Sequence, residues 1–163
     1  MYPFFIHNSK KIEKKQLFLY DKKMQLPKEI QFAMDILTEN GFQAFAVGGC
    51  VRDILRKEKP KDWDLTTNAT PEQIQESFEK KGLKTFYENK FGTVSVLTEV
   101  EDETIRTIEI TPFRTESQYS DKRHPDKVKW AKTIHDDLSR RDFTCNAVAI
   151  SYENEKLKII DLF

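Results

Sequence analysis

Asp62 and Asp64 stand two residues apart in the stretch DWDLTTNATP, with Trp63 between them and Leu65 after them. In an extended strand, side chains at i and i+2 share a face, so both carboxylates point one way and both apolar groups the other. Two carboxylates this close repel, and a divalent cation or hydrogen-bond donors must neutralise them. Oxygen-only ligands suit Mg²⁺, which keeps positions open for water and phosphate. A solvated strand face accounts for Asp-x-Asp taken alone. Glu109, set between Ile108 and Ile110 in TIEITPF, adds weight to the metal reading. A carboxylate buried between two isoleucines needs a partner. If its strand lies beside the Asp strand, Asp62, Asp64 and Glu109 together form the acid set of two-metal phosphoryl transfer.

Gly48 and Gly49 precede these acids by about a dozen positions and fall between an apolar run and a helical pattern. Glycines there let backbone N–H groups approach a phosphate, although a Gly-Gly pair also makes an ordinary tight turn. Arg52 and Asp53 follow: one to clamp a triphosphate and one to orient a neighbouring donor, or simply a surface ion pair. Further along, SRRDFTCNA carries Arg140, Arg141, Asp142 and Asn146. Arginine forks onto phosphate oxygens and aspartate accepts from ribose hydroxyls, so the group could hold a nucleotide; a capped, solvated helix start is the other reading. Asn146, between Cys145 and Ala147, fits the solvated reading less well. His7, His124 and His135 have no nucleophile beside them and read as surface residues. KRHPDKVKW, ending at Trp130, fits either RNA contact through phosphates and stacking or a solvated loop.

These residues need elements to place them. LPKEIQFAMDILTENGF puts Ile30, Ala33, Met34 and Leu37 at helical spacing, opens on Pro27 and closes on Asn40-Gly41. QAFAV is a short buried strand, the glycines a turn, and CVRDILRKE a helix. KDWDLTTN returns as a strand, and Thr70-Pro71-Glu72-Gln73 opens a helix with a capping box. FGTVSVLTEV and ETIRTIEITPF predict an antiparallel hairpin across Glu101-Asp102-Glu103. RTESQYSDKRHPDKVKW reads as a loop, TIHDDLSRRDFTCNAVAIS as mixed helical with Asn146 one turn beyond Asp142, and KLKIIDLF as a final strand. The order predicts an α/β (α+β) domain with a mixed sheet over residues 27–163, after an extension over 1–26.

The 163 residues hold 27 basic and 27 acidic side chains, so no global charge draws the chain toward nucleic acid or membrane. Cys50 and Cys145 are too few and too far apart for a zinc site or disulfide framework, and read as reduced thiols. No apolar run approaches the roughly 20 residues of a membrane helix, and no secretory segment opens the chain, so the expectation is a soluble cytoplasmic protein with no membrane partner.

VGGCVRD, KDWDLTT, IEITPFR, RHPDKV and RRDFTCNA, in this order from about Ala44 to Asn146, resemble the class II tRNA nucleotidyltransferases, or CCA-adding enzymes, and the bacterial poly(A) polymerases that share their head domain. The resemblance implies a DNA polymerase beta-like nucleotidyltransferase head, with a mixed, mainly antiparallel sheet flanked by helices. It implies transfer of CMP and AMP from CTP and ATP to the 3′ end of tRNA. Poly(A) addition, a CC- or A-adding specialist, and a non-catalytic nucleotide- or RNA-binding head are the alternatives. Asp62, Asp64 and Glu109 would hold a two-metal Mg²⁺ site. Gly48, Gly49 and Arg52 would hold the triphosphate, while Asp142 with Arg140 and Arg141 would favour ribose. The segment from Arg114 to about Trp130 resembles the family's flexible element. EDETIR at Glu101 has one residue too many for the family's base-selecting motif and lies between expected strands. The chain ends at IIDLF, where members usually continue, so a head domain without its helical neck, body and tail is expected.

Overall fold

The computed structural model describes residues 25–87, 92–117, 127–153 and 156–163. Most of the expected extension, residues 1–24, lies outside them, as do His7 and His124. Helix α1 (Lys28–Glu39) buries Ile30, Ala33, Met34 and Leu37, the expected stripe, together with Ile36. Gly41, at φ 85°, turns the chain out of it. Strand β1 (Ala44–Val47) leads through Gly48 into helix α2 (Gly49–Leu55), and β2 (Trp63–Thr67) follows. Helix α3 (Pro71–Glu79) opens on the predicted capping box: Thr70 Oγ1 accepts from the Gln73 N–H while the Gln73 side chain accepts from the Thr70 N–H.

Strands β3 (Lys84–Tyr87), β4 (Val94–Leu97) and β5 (Thr107–Pro112) come next, then β6 (Arg114–Ser117) and β7 (Lys127–Trp130). Helix α5 (Ile134–Ser139), β8 (Val148–Glu153) and β9 (Lys156–Asp161) complete the described chain. The main sheet has the order β3-β4-β5-β2-β1-β8-β9. Among the described strands of this sheet only β2 and β5 run parallel, and the other neighbouring pairs are antiparallel. This is the mixed, mainly antiparallel sheet that the element order predicts.

Three readings need correction. The β4–β5 hairpin forms as expected, but a single helical turn, α4 (Glu103–Arg106), occupies its connection because Asp102 caps the Thr104 N–H. The segment read as a loop after Phe113 contains a two-stranded ribbon, β6 with β7, in register Arg114↔Trp130; residues 118–126 lie outside the described ones. The segment read as mixed helical is helical only in α5 and a 3-10 turn, Thr144–Asn146, after which β8 begins. Val148 and Ile150 alternate there with Ala149, and that period of two suits a strand buried on both faces. Asp142 and Asn146 are therefore not one helical turn apart.

The sheet separates two apolar layers. Behind it, α1 and α3 pack Ile30, Leu37, Ile74 and Phe78 against Leu65 and Ile110. In front, Phe45, Val47 and Ala149 meet Phe113, Ile134 and Leu138, which seats α5 over one half of that face. Each fully buried Leu or Ile is favoured by about 1.5–3 kcal/mol over its exposed state. The ribbon is anchored at its base, where the Phe113 N–H donates to Thr67 O and the Ala131 N–H to Phe113 O. Trp130, half-exposed, lies against Gly92, which adopts φ 82°. A Cβ on Gly92 would sit 2.4 Å from the Trp130 ring. Gly92→Ala is therefore expected to cost about 1–3 kcal/mol in stability and to push the indole toward water. A lower melting temperature with red-shifted emission from Trp130, read in a Trp63→Phe background, checks it.

Candidate active site

Register builds the site. Val47 pairs with Asp64, Asp64 with Glu109, and Glu109 with Ser95, so these four side chains form one row across β1, β2, β5 and β4. Val47 belongs to the front layer, which puts both carboxylates on the face that α5 leaves open. Trp63 and Leu65 are 3% and 1% exposed on the opposite side, where the alternation requires them. The adjacency that Glu109 needed is present. Its surroundings differ from expectation: Ile108 and Ile110 face the back core, while Glu109 itself is exposed. Asp62 is exposed just before β2, and Asp64 is half-buried.

Burial raises the Asp64 carboxyl from its ordinary 3.8 to about 6; Glu109 and then Asp62 push the same way, and Arg141 opposes them. As placed, the three acids are not gathered into a metal-holding cluster, and no other such group of three occurs among the described residues. Like-charge repulsion keeps carboxylates apart until a cation joins them, so an all-oxygen donor set sharing one face and one register fits a divalent ion.

The pH dependence follows. Folded Asp64 holds its proton more tightly than the unfolded chain does, so this stability is complete below about pH 4 and is lost as pH rises through about 6. The loss is about 3 kcal/mol, from about two units at 1.36 kcal/mol each. Thermal melts between pH 4 and 8 without divalent metal should show the fall. Asp64→Asn should flatten it over that window, and added Mg²⁺ at pH 8 should restore stability only in the wild type.

Gly48 adopts φ 77° and ψ −137°, a conformation that belongs to glycine. A Cβ there would lie 3.2 Å from Arg141 Nη1 and 3.5 Å from Asp64 Oδ2. On Gly49, a Cβ would lie 3.6 Å from Arg52 Nη2 and 3.9 Å from Asp62 Oδ1. The two glycines thus occupy a seam with an arginine on one side and a carboxylate on the other. Arg52 and Asp53 form the ion pair allowed for in the sequence, at 2.8 Å, and Arg52 Nη1 also donates to Asn146 Oδ1 at 3.1 Å. Asn146 therefore joins the site through Arg52 and from the 3-10 turn. Asp142 is exposed on the preceding turn, and Cys145 is exposed beside Asn146. Cys50 is buried, donates to Val47 O, and has its thiol pushed up to about 11 by that burial, so it is inert packing.

Asp137 was not singled out in the sequence. It is fully buried, and it accepts from Arg140 Nε at 3.0 Å and Arg141 Nη2 at 3.2 Å. Its spacing of three and four from the two arginines, at a helix opened by Thr133, was the available signal. His135 is half-buried on α5, and Trp130 is half-exposed on the ribbon.

No described helix is long and apolar enough to cross a membrane. Solved structures of the same fold include the Bacillus stearothermophilus CCA-adding enzyme in complex with CTP, with TM-score 0.66 and 31% identity over 85% of this chain and 31% of that one. The Thermotoga maritima CCA-adding enzyme complexed with tRNA_CCA gives TM-score 0.63 and 27% identity over 87% of this chain and 31% of that one. In sequence, the CCA-adding enzyme of Lactobacillus delbrueckii subsp. bulgaricus is 45% identical over 130 residues, 80% of this chain and 30% of that protein. The CCA-adding enzyme of Lactococcus lactis subsp. cremoris is 42% identical over 145 residues, 85% of this chain and 33% of that protein. The chain thus spans about a third of the length of these relatives. Residues 44–163, which carry the acid row, the glycine turn and both arginine groups, match the family described as Poly A polymerase head domain, and the chain belongs to that family.

Proposed function

We propose that this domain is the catalytic head of a template-independent RNA nucleotidyltransferase that adds CMP and AMP from CTP and ATP to the 3′ end of tRNA in the cytoplasm. The observation that carries the reading is the row Asp64–Glu109, set against Gly48 and Arg141 on the open half of the front face. Pure binding of a nucleotide has little use for carboxylates set side by side on one sheet face, whereas transfer must bring a hydroxyl and a polyphosphate, both electron-rich, together. Relatives whose names state CCA addition, and solved neighbours bound to CTP and to tRNA, support the substrate assignment.

Asp62, Asp64 and Glu109 would hold Mg²⁺, which neutralises charge on the polyphosphate and on the attacking oxygen. Gly48 and Gly49 leave room for phosphate oxygens at the seam. Arg52, steadied by Asp53 and Asn146, and Arg141 bind those oxygens; Arg140 flanks them, and Asp142 accepts from the ribose hydroxyls. Glu109, exposed and paired in register with Asp64, would take the proton of the RNA 3′ hydroxyl. That oxygen bonds to the α-phosphorus, the bond to the bridging oxygen breaks, and pyrophosphate leaves.

The name of the matched family favours one second reading, poly(A) addition. The test is Mg²⁺-dependent incorporation of labelled CMP and AMP into tRNA transcripts ending before CCA, ending after CC, or carrying an unrelated 3′ end. CMP on the first and AMP on the second supports CCA addition. AMP alone on every end supports polyadenylation, and no label on any end contradicts both.

A further inference from the structure

The buried carboxylate of Asp137 has three donors drawn from two parts of the chain. Arg140 Nε and Arg141 Nη2 come from the turn after α5, at 3.0 and 3.2 Å. The backbone N–H of Arg114, at the base of the β6–β7 ribbon, donates to Oδ1 at 3.2 Å. A charge so fully removed from water needs such partners, and removing them would leave it uncompensated. The contact also decides where Arg141 points. With Nη2 held by Asp137, the other terminal nitrogen, Nη1, comes to the Gly48 turn, on the side of Asp64 Oδ2. The planar guanidinium makes this possible, because its two ends are fixed relative to each other.

We infer that Asp137 is a positioning residue of the transfer site: it holds Arg141 by one edge so that the other edge meets the triphosphate at the Gly48 turn. The inference rests on the nucleotidyltransferase reading and deepens it. Asp137 itself touches neither substrate nor metal. Because the same carboxylate takes the Arg114 N–H, the base of the ribbon and the phosphate-binding arginine share one fixed point.

The test is calorimetric titration of the 163-residue chain with Mg²⁺·CTP, using wild type, Asp137→Asn, Arg141→Gln and the double variant. Asn keeps an acceptor for the Arg114 N–H but removes the charge that grips the arginines. Each single change should weaken binding about tenfold, and the double variant should be no weaker than Arg141→Gln, because both act through one contact. A purely structural role predicts a lower melting temperature with wild-type affinity, or losses that add in the double variant; either overturns the inference. Should Asp137→Asn fail to fold, Arg141→Lys decides. It keeps a charge beside Asp137 but cannot span to Gly48, so affinity should fall as in Arg141→Gln, and wild-type affinity there overturns the inference. A wild-type chain that does not bind Mg²⁺·CTP overturns the transferase reading and this one with it. Wild-type binding that persists in both single variants overturns this one alone.

Discussion

Asp64→Asn is expected to reduce nucleotidyl transfer by at least about a thousand-fold while making the metal-free domain more stable at pH 8. Asp64 lies at the middle of the acid row, between Val47 on β1 and Glu109 on β5, with Arg141 near its open side. Losing one anionic metal ligand removes several kcal/mol of charge stabilisation in the transition state, and each 1.36 kcal/mol is a factor of ten. The stability gain has the opposite sign because Asn cannot ionise where burial and two carboxylates oppose it. A residue kept for packing would lose stability on substitution and have no special effect on rate. Initial rates of labelled CMP transfer and thermal melts of the same preparations check both halves.

Gly48→Ala should lower transfer about a hundred-fold and Mg²⁺·CTP affinity with it. The backbone conformation at Gly48, φ 77°, strains any residue with a Cβ by about 1–2 kcal/mol. The new methyl would also press on Arg141 Nη1 and Asp64 Oδ2, at 3.2 and 3.5 Å. Both belong to the reacting geometry, where a misplacement of about 1 Å can cost about a hundred-fold. Gly41→Ala is the control. Gly41 also has positive φ, at 85°, but nothing lies within 4 Å of its Cβ position. It should lose comparable stability and leave transfer unchanged, as paired melts and rates would show.

The site was legible wherever a short period governs it. Asp62 and Asp64 could be read on one face because Trp63 and Leu65 demand the other, and the glycine turn could be read between an apolar run and a helix. The neighbour of Asp64 could not be fixed in the same way. Glu109 reaches it through the parallel pairing of β2 with β5, a long-range contact for which no local signal exists. Ile108 and Ile110 marked a strand correctly, yet they suggested burial for Glu109, which the pleat instead turns outward.

The ribbon escaped for the opposite reason. Thr115, Lys129 and Trp130 are exposed, so no alternation betrays β6 and β7. In TIHDDLSRRDFTCNAVAIS, polar and charged residues drew a mixed helical reading across what is a six-residue helix, a 3-10 turn and a strand. Asp137 was hidden among neighbours of its own kind. An acid in the first turn of a helix ordinarily faces water, and only the fold, which seats Ile134 and Leu138 of α5 in the front layer, leaves this one fully buried.

The central claim is that a divalent cation and a nucleoside triphosphate meet on the row Asp64–Glu109 beside the glycine turn. Amide resonance broadening by substoichiometric Mn²⁺, recorded with and without CTP, tests it most directly, because the paramagnetic effect falls steeply with distance. Broadening centred on Gly48, Gly49, Asp62, Asp64 and Glu109, strengthened by CTP and absent in Asp64→Asn, is the result the structure predicts. Broadening centred on the exposed acids Asp136 and Asp142, or indifferent to CTP and to Asp64→Asn, would contradict it.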